Sequence, residues 1–270
     1  MGMVLVLGVL IGAIMGLTGA GGGILAVPVL VAGMHWSMQQ AAPVALFAVA
    51  SGAAVGAFDG FRHRLVRYKA AAWMALWGIP MTRLGQHLAH VLSQYILLGV
   101  FSLLMMMVSW RFYRQSLQKD NVSDDDNLRL ALINEETGRF IWTPISALIL
   151  AGIGMLTGSM TGLLGVGGGF LIVPLMKRFT QLSLPGIVAT SLFVIALVGS
   201  GGVVNSLLAG VELPLYETAA FVAAMISGML LGRGFSRKLQ PWQVQRGFAL
   251  LLSAVSAYMF YKAIISYGNF

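Results

Sequence analysis

Two glycine-rich stretches carry the most pointed chemistry in the sequence: Gly16-Leu-Thr-Gly-Ala-Gly-Gly-Gly-Ile-Leu-Ala-Val-Pro28 and Gly162-Leu-Leu-Gly-Val-Gly-Gly-Gly-Phe-Leu-Ile-Val-Pro174. Each helical glycine costs about 1 kcal/mol relative to Ala, so Gly21-Gly22-Gly23 and Gly167-Gly168-Gly169 favour local unwinding. Unwound glycines expose backbone N–H groups, and a helix starting just beyond them adds the positive end of its dipole. That combination suits an anion and needs no formal charge inside a membrane. The candidate contacts are the backbone of Gly19, Gly21, Gly22, Gly23, Gly165, Gly167, Gly168 and Gly169, with the Thr18 hydroxyl beside the first run. The competing reading is that the glycines only let helices approach closely. A nucleotide loop is excluded: Ile24 and Phe170 stand where GxGxxG needs its third glycine, and no Lys-Ser/Thr pair follows either run.

Other polar residues are sparse. Thr190 and Ser191 interrupt an apolar stretch; being adjacent they cannot share one helix face, and each either lines a site or bonds back to a preceding carbonyl. Arg83, followed by His87 and His90, either supplies countercharge to an anion or snorkels to the interface. Asp59 precedes Arg62, His63 and Arg64, which suggests a loop ion pair; a buried carboxylate there would instead titrate and could carry a coupling proton. Asn205 stands at the matching place in the second half and cannot titrate. No Ser-His-Asp set, catalytic carboxylate pair or His cluster stands out, so neither an enzyme nor a metal site is expected, and no cofactor.

The elements that must hold these residues are membrane helices. The 270 residues are 58% hydrophobic and 10% charged, where soluble domains carry about a quarter charged residues. Cysteine is absent, which excludes disulfides, thiol nucleophiles and Cys-ligated metals. Lys and Arg number 17 against 9 Asp and Glu. The basic residues gather in short clusters between apolar runs, as juxtamembrane anchors do, and not on one hydrated face, so no nucleic acid is expected as a partner.

Eight apolar segments emerge, at about 3–33, 39–61, 70–90, 93–113, 143–176, 185–210, 214–236 and 242–266. A crossing needs about 20 apolar residues, so 3–33 and 143–176 are too long for one straight span and are each expected to be broken or re-entrant at the glycines. The expected fold is an all-α polytopic membrane protein of about eight transmembrane segments. The expected division is a first transmembrane repeat over 1–114, an acidic polar connector over 115–142 with a short surface helix at 128–136, and a second repeat over 143–270. Over an eight-span layout the basic clusters fall on both sides and lean only slightly toward an inside N-terminus; inverted halves with an odd number of crossings would follow if each broken segment crosses twice.

The division into halves rests on an internal repeat. The two glycine motifs align at an offset of 146, with nine of thirteen positions identical. The same offset pairs Leu46-Phe47 with Leu192-Phe193, Ala50 with Ala196, Gly56 with Gly202 and Asp59 with Asn205. Duplication with glycine-interrupted segments at matching positions is a secondary-transporter signature, with the site where the broken segments meet near the midplane.

The paired Gly-x-Gly-Gly-Gly motifs ending in proline, the Ala189-Thr190-Ser191-Leu192-Phe193 segment and the acidic central loop resemble the TauE/SafE family of sulfite/organosulfonate exporter-like permeases, over about residues 3–266. The resemblance implies a multi-pass protein of the bacterial inner membrane that carries a small anion: sulfite, an organosulfonate or a related organic acid. It also implies a Thr-Ser pair in each half; here the first half reads Pro43-Val44-Ala45. The expected partners are a small anionic substrate, the lipid bilayer and a coupling proton or cation, with transport by alternating access. The other reading kept open is a non-transporting membrane scaffold that uses its glycines for packing.

Overall fold

The computed structural model describes residues 2–117, 142–211, 213–236 and 241–268. The helices are α1 (Gly2–Thr18), α2 (Ala26–Gly33), α3 (Met38–Arg62), α4 (Tyr68–Val91), α5 (Gln94–Leu117), α6 (Pro144–Leu164), α7 (Gly169–Phe179), α8 (Leu184–Leu208), α9 (Leu215–Ser236) and α10 (Pro241–Gly268). Among the described residues there is no strand, in keeping with a backbone that has no water to bond in lipid. The acidic connector, including the surface helix expected at 128–136, falls on 118–141 and lies outside the described residues.

Six of these helices are long and apolar enough to cross a membrane: α3, α5, α6, α8, α9 and α10. The eight expected segments are therefore not all matched on that measure. At 17 residues α1 is short, and α4 carries Lys69, Arg83, Gln86, His87 and His90 along its length.

Local chemistry sets the helix ends. Ser37 caps α3, accepting from the Gln40 N–H while the Gln40 side chain accepts from the Ser37 N–H. Thr143 and Ser146 make the same reciprocal cap on α6, with Pro144 opening the first turn. Gly165 ends α6 in the left-handed conformation at φ 72°, which a side chain would disfavour.

Helix pairing follows small residues. α1 packs on α9, and α6 packs on α4. A Cβ at Gly12 would collide with the Met225 carbonyl, and one at Gly16 with the Met229 carbonyl. On the other pair, Gly158 lies against Gly78 and Gly162 against Thr82 in the same way. Backbone-to-backbone approach of this kind lets dispersion and Cα–H contacts hold helices together where lipid offers no hydrophobic drive. α3 packs on α8 and α5 on α10. Between α5 and α10 the Ser109 hydroxyl lies 2.7 Å from the Ala249 carbonyl and 2.7 Å from Ser253 Oγ, and Phe112 meets Phe248 edge to face at 5.1 Å.

The first long apolar segment does turn back on itself. Gly33, at the end of α2, stands against Leu7 and Met3 near the start of α1. The turn is made differently from the expectation, however. Residues Gly19–Leu25 do not open into a loop but tighten into a 3-10 helix, with only Gly19 at positive φ. The second motif is a true break: Gly165, Gly167 and Gly168 all have positive φ, between α6 and α7. Runs of 3-10 helix longer than three or four residues are uncommon, and here glycines remove the side-chain eclipsing that would oppose one.

Candidate functional site

The two glycine motifs meet in the interior. A Cβ at Gly23 would lie 3.4 Å from the Val166 carbonyl oxygen and 2.9 Å from Val49. A Cβ at Gly167 would lie 2.8 Å from the same Val49 and 2.9 Å from Ile195. Val49 and Ile195 are each the twelfth residue of a 25-residue helix, α3 and α8 respectively. The glycine turns therefore meet at the midpoints of two paired spans.

The individual glycines are tightly enclosed. Gly22 backs onto the Met15 main chain, Gly165 onto Ala42, and Gly19 onto Val188. Gly21 is looser: a Cβ there would make ordinary contacts of 3.7 Å with Phe112 and Phe248. Gly169 is buried as the first residue of α7. Gly168 caps α7 at φ 64° and faces α6, where its Cβ would meet the Thr157 side chain and lie 3.1 Å from Thr161 Oγ1.

The hydroxyls singled out in the sequence are engaged elsewhere. Thr18 donates to the Ile14 carbonyl at 2.8 Å and lines an apolar cleft of about 250 Å³ between α1 and α10. Thr190 is fully buried and accepts from the Arg67 N–H at 3.1 Å, which ties α8 to the start of α4. Ser191, also buried, donates to the Val188 carbonyl at 2.8 Å. Arg83 is exposed; it is Thr82 and Gly85 beside it that face α6.

Asp59 is 53% exposed and pairs with Arg233 of α9 at 3.0 Å and with His63 at 3.6 Å. Arg233 also donates to the Gly56 carbonyl at 3.2 Å. The ion pair is thus not confined to the loop after α3, and the partner from α9 was invisible in the local sequence. Asn205 is half-buried near the end of α8. Among the described residues no group of His, Cys, Asp and Glu is placed to hold a metal.

A second cleft, of about 40 Å³, was missed by the sequence reading. Its lining includes Gln39, Gln86, His90, Thr161, Gly165 and Ser206. The Gln86 amide donates to the Gly202 carbonyl at 2.8 Å and to Ser206 Oγ at 3.0 Å. A lone glutamine four residues before His90, in a helix otherwise packed through Gly78, Thr82 and Gly85, was the available signal.

The chain matches the Sulfite exporter TauE/SafE family over residues 4–259, nearly its whole length. It belongs to that family. Among curated relatives of this TauE/SafE member, the probable membrane transporter protein YunE of Bacillus subtilis is 24% identical, over 98% of both chains. A probable membrane transporter protein of Xylella fastidiosa is 27% identical, over 95% of this chain and 93% of its own. The probable membrane transporter protein MJ0441 of Methanocaldococcus jannaschii is 22% identical, over 95% and 94%. No solved structure matches. A TauE/SafE chain with six membrane-length apolar helices is a multi-pass membrane transporter, and its bacterial relatives assign it to the inner membrane.

Proposed function

We propose that this TauE/SafE member is a secondary transporter of a small anion, sulfite, an organosulfonate or a related organic acid, working by alternating access between two inverted repeats. The observation that carries the reading is the meeting of Gly23 and Val166 between Val49 and Ile195, at the centres of α3 and α8. Transporters of this type bind at the midplane, where interrupted helices turn their free backbone groups inward.

The helix pairing supports a two-fold relation. α3 and α8 begin and end 146 residues apart, at Met38 and Leu184 and at Arg62 and Leu208, and they pack on each other. α1 packs on α9 while α6, its counterpart at that offset, packs on α4. Because α2 returns beside the start of α1, the eight apolar segments become ten passes, five in each half. An odd number inverts the second half relative to the first.

That parity also gathers charge. With ten passes, the ends of α3, α5, α7 and α9 share one face, and with them Arg62, Arg64, Arg67, Arg111, Arg114, Lys177, Arg178 and Arg233. By the positive-inside rule this face is cytoplasmic and both termini lie outside. Two conformers related by the pseudo-symmetry would open the cleft beside Gly165 on one face and its counterpart beside Gly19 on the other. With no nucleotide motif in the chain, an ion gradient or the substrate's own gradient drives the cycle.

The test is flux in proteoliposomes with sulfite, methanesulfonate, thiosulfate and small carboxylates, each with and without an imposed pH gradient. Saturable flux of one anion that responds to the gradient is expected. Silence across the panel with folded protein would favour the scaffold reading, in which the enclosed glycines serve packing alone.

A further inference from the structure

Hydroxyls in membrane helices ordinarily satisfy themselves on the preceding turn. Thr18 bonds Ile14, Ser51 bonds Phe47, Thr82 bonds Gly78, Ser159 bonds Met155 and Ser206 bonds Gly202, each through the carbonyl four residues back. Thr157 and Thr161 depart from this. Both are fully buried, and neither hydroxyl has a hydrogen-bond partner among the described residues. They lie one turn apart on one face of α6 and both abut Gly168, the residue that caps α7. An unsatisfied buried hydroxyl costs about 1–3 kcal/mol, so two side by side call for a missing partner.

Their surroundings indicate what that partner is. Gly165, Gly167 and Gly168 all have positive φ; the Gly165 N–H is taken by the Thr161 carbonyl at 2.9 Å, which leaves those of Gly167 and Gly168 for a ligand. α7 begins there, so its first-turn N–H groups and dipole point the same way. α7 is eleven residues long. Both hydroxyls can donate here, beside the Thr157 carbonyl that also faces Gly168, and Thr161 and Gly165 line the cleft of about 40 Å³, room for a few waters or the head of a small oxyanion. The other half offers no equivalent. At the offset of 146, Ile11 and Met15 replace Thr157 and Thr161, and the Gly19–Leu25 run is a hydrogen-bonded 3-10 helix.

We infer that the oxyanion head of the substrate binds on one half only, held by the hydroxyls of Thr157 and Thr161 and the backbone N–H groups of Gly167 and Gly168. This deepens the transport reading and rests on it. The substrate is recognised by its singly or doubly charged oxygens, and the sequence-singled hydroxyls Thr18, Thr190 and Ser191 hold structure instead.

The experiment compares the wild-type protein with Thr157→Val, Thr161→Val and the double variant, reading sulfite and methanesulfonate KM in proteoliposomes and thermal unfolding without ligand. Valine keeps the shape and removes the hydroxyl. Hydrogen bonds to a charged group are strong enough that each single variant should raise KM about tenfold and the double variant more, while the ligand-free unfolding temperature stays level or rises. Thr161→Ser, which keeps the oxygen, should restore KM. Unchanged KM in the double variant, with wild-type flux intact, overturns this site and leaves the transport reading standing. A lowered unfolding temperature with unchanged KM assigns the hydroxyls a structural role and likewise overturns it. Wild-type protein that carries and binds none of sulfite, methanesulfonate, thiosulfate and small carboxylates overturns the transport reading and this site with it.

Discussion

Arg233 reaches from the end of α9 to Asp59 at the end of α3, guanidinium to carboxylate at 3.0 Å, across 174 positions of sequence. Phe61 and Phe193 meet edge to face at 4.8 Å two residues further on. The ion pair and the aromatic contact close one end of the α3–α8–α9 group. At the other end the place of Arg233 is taken by Gln86, which lies against Gly162 as Arg233 lies against Gly16.

If that end opens during transport, the pair must break. Asp59 is half-exposed, so Asp59→Asn should cost well under about 1 kcal/mol of stability. It should nevertheless raise maleimide labelling of a single cysteine placed at Ala189, which packs on Gly60 behind the pair. The chain has no native cysteine, so the background is clean. Labelling that stays at the wild-type rate while flux is normal would show that this end opens without regard to the pair.

Thr190 should behave as the reverse of Thr157 and Thr161. Thr190→Val leaves the part-buried Arg67 N–H without its partner and should destabilise the protein by about 1 kcal/mol. Thermal unfolding should show the loss, and KM for the carried anion should not move. A KM rise without loss of stability would return Thr190 to the site.

Arg83→Gln should leave flux and KM within about twofold of wild type, because the side chain is exposed while the glycine turns are buried. A fall of tenfold or more in kcat/KM would mean that the guanidinium reaches the anion after all.

Close packing can be tested with a matched pair on α6. Gly158→Val drives a side chain into the Gly78 main chain and should cost about 1–3 kcal/mol or more. Gly152→Ala has nothing within 4 Å of the new methyl and should be neutral or slightly stabilising. Equal unfolding temperatures for the two variants would contradict the packing of α6 on α4.

Single-cysteine labelling also checks the ten-pass layout. Cysteines at His35 and Val91, in or beside the links α2–α3 and α4–α5, should label from one side of the membrane, and one at Arg64 from the other. Labelling of Arg64 and His35 positions from the same side would break the parity on which the inverted repeats rest.

What the sequence could convey was set by range. Apolar runs and the offset of 146 are visible residue by residue, and α3 and α8 begin and end on it. The glycine motif announces a break, but whether the backbone opens or tightens depends on what encloses it; Met15 behind Gly22 and Thr157 behind Gly168 could not be known in advance. Hydroxyls mislead for the same reason. Thr190 looked available and is engaged by Arg67, whereas Thr157 and Thr161, inside an apolar segment with an easy bond to the preceding turn, are among the hydroxyls left open, with Ser93 and Thr218.

The packing of α1 on α9 has a consequence for how the chain is made. Nearly 200 residues separate the end of α1 from the start of α9. At a synthesis rate of about 5–20 residues per second, α1 waits roughly 10–40 seconds before its partner exists. Through that interval Gly8, Gly12 and Gly16 have no helix to close against. Assembly of the first half is therefore held open until α9 emerges, and a chain truncated before α9 would leave a bare glycine groove for quality control to find.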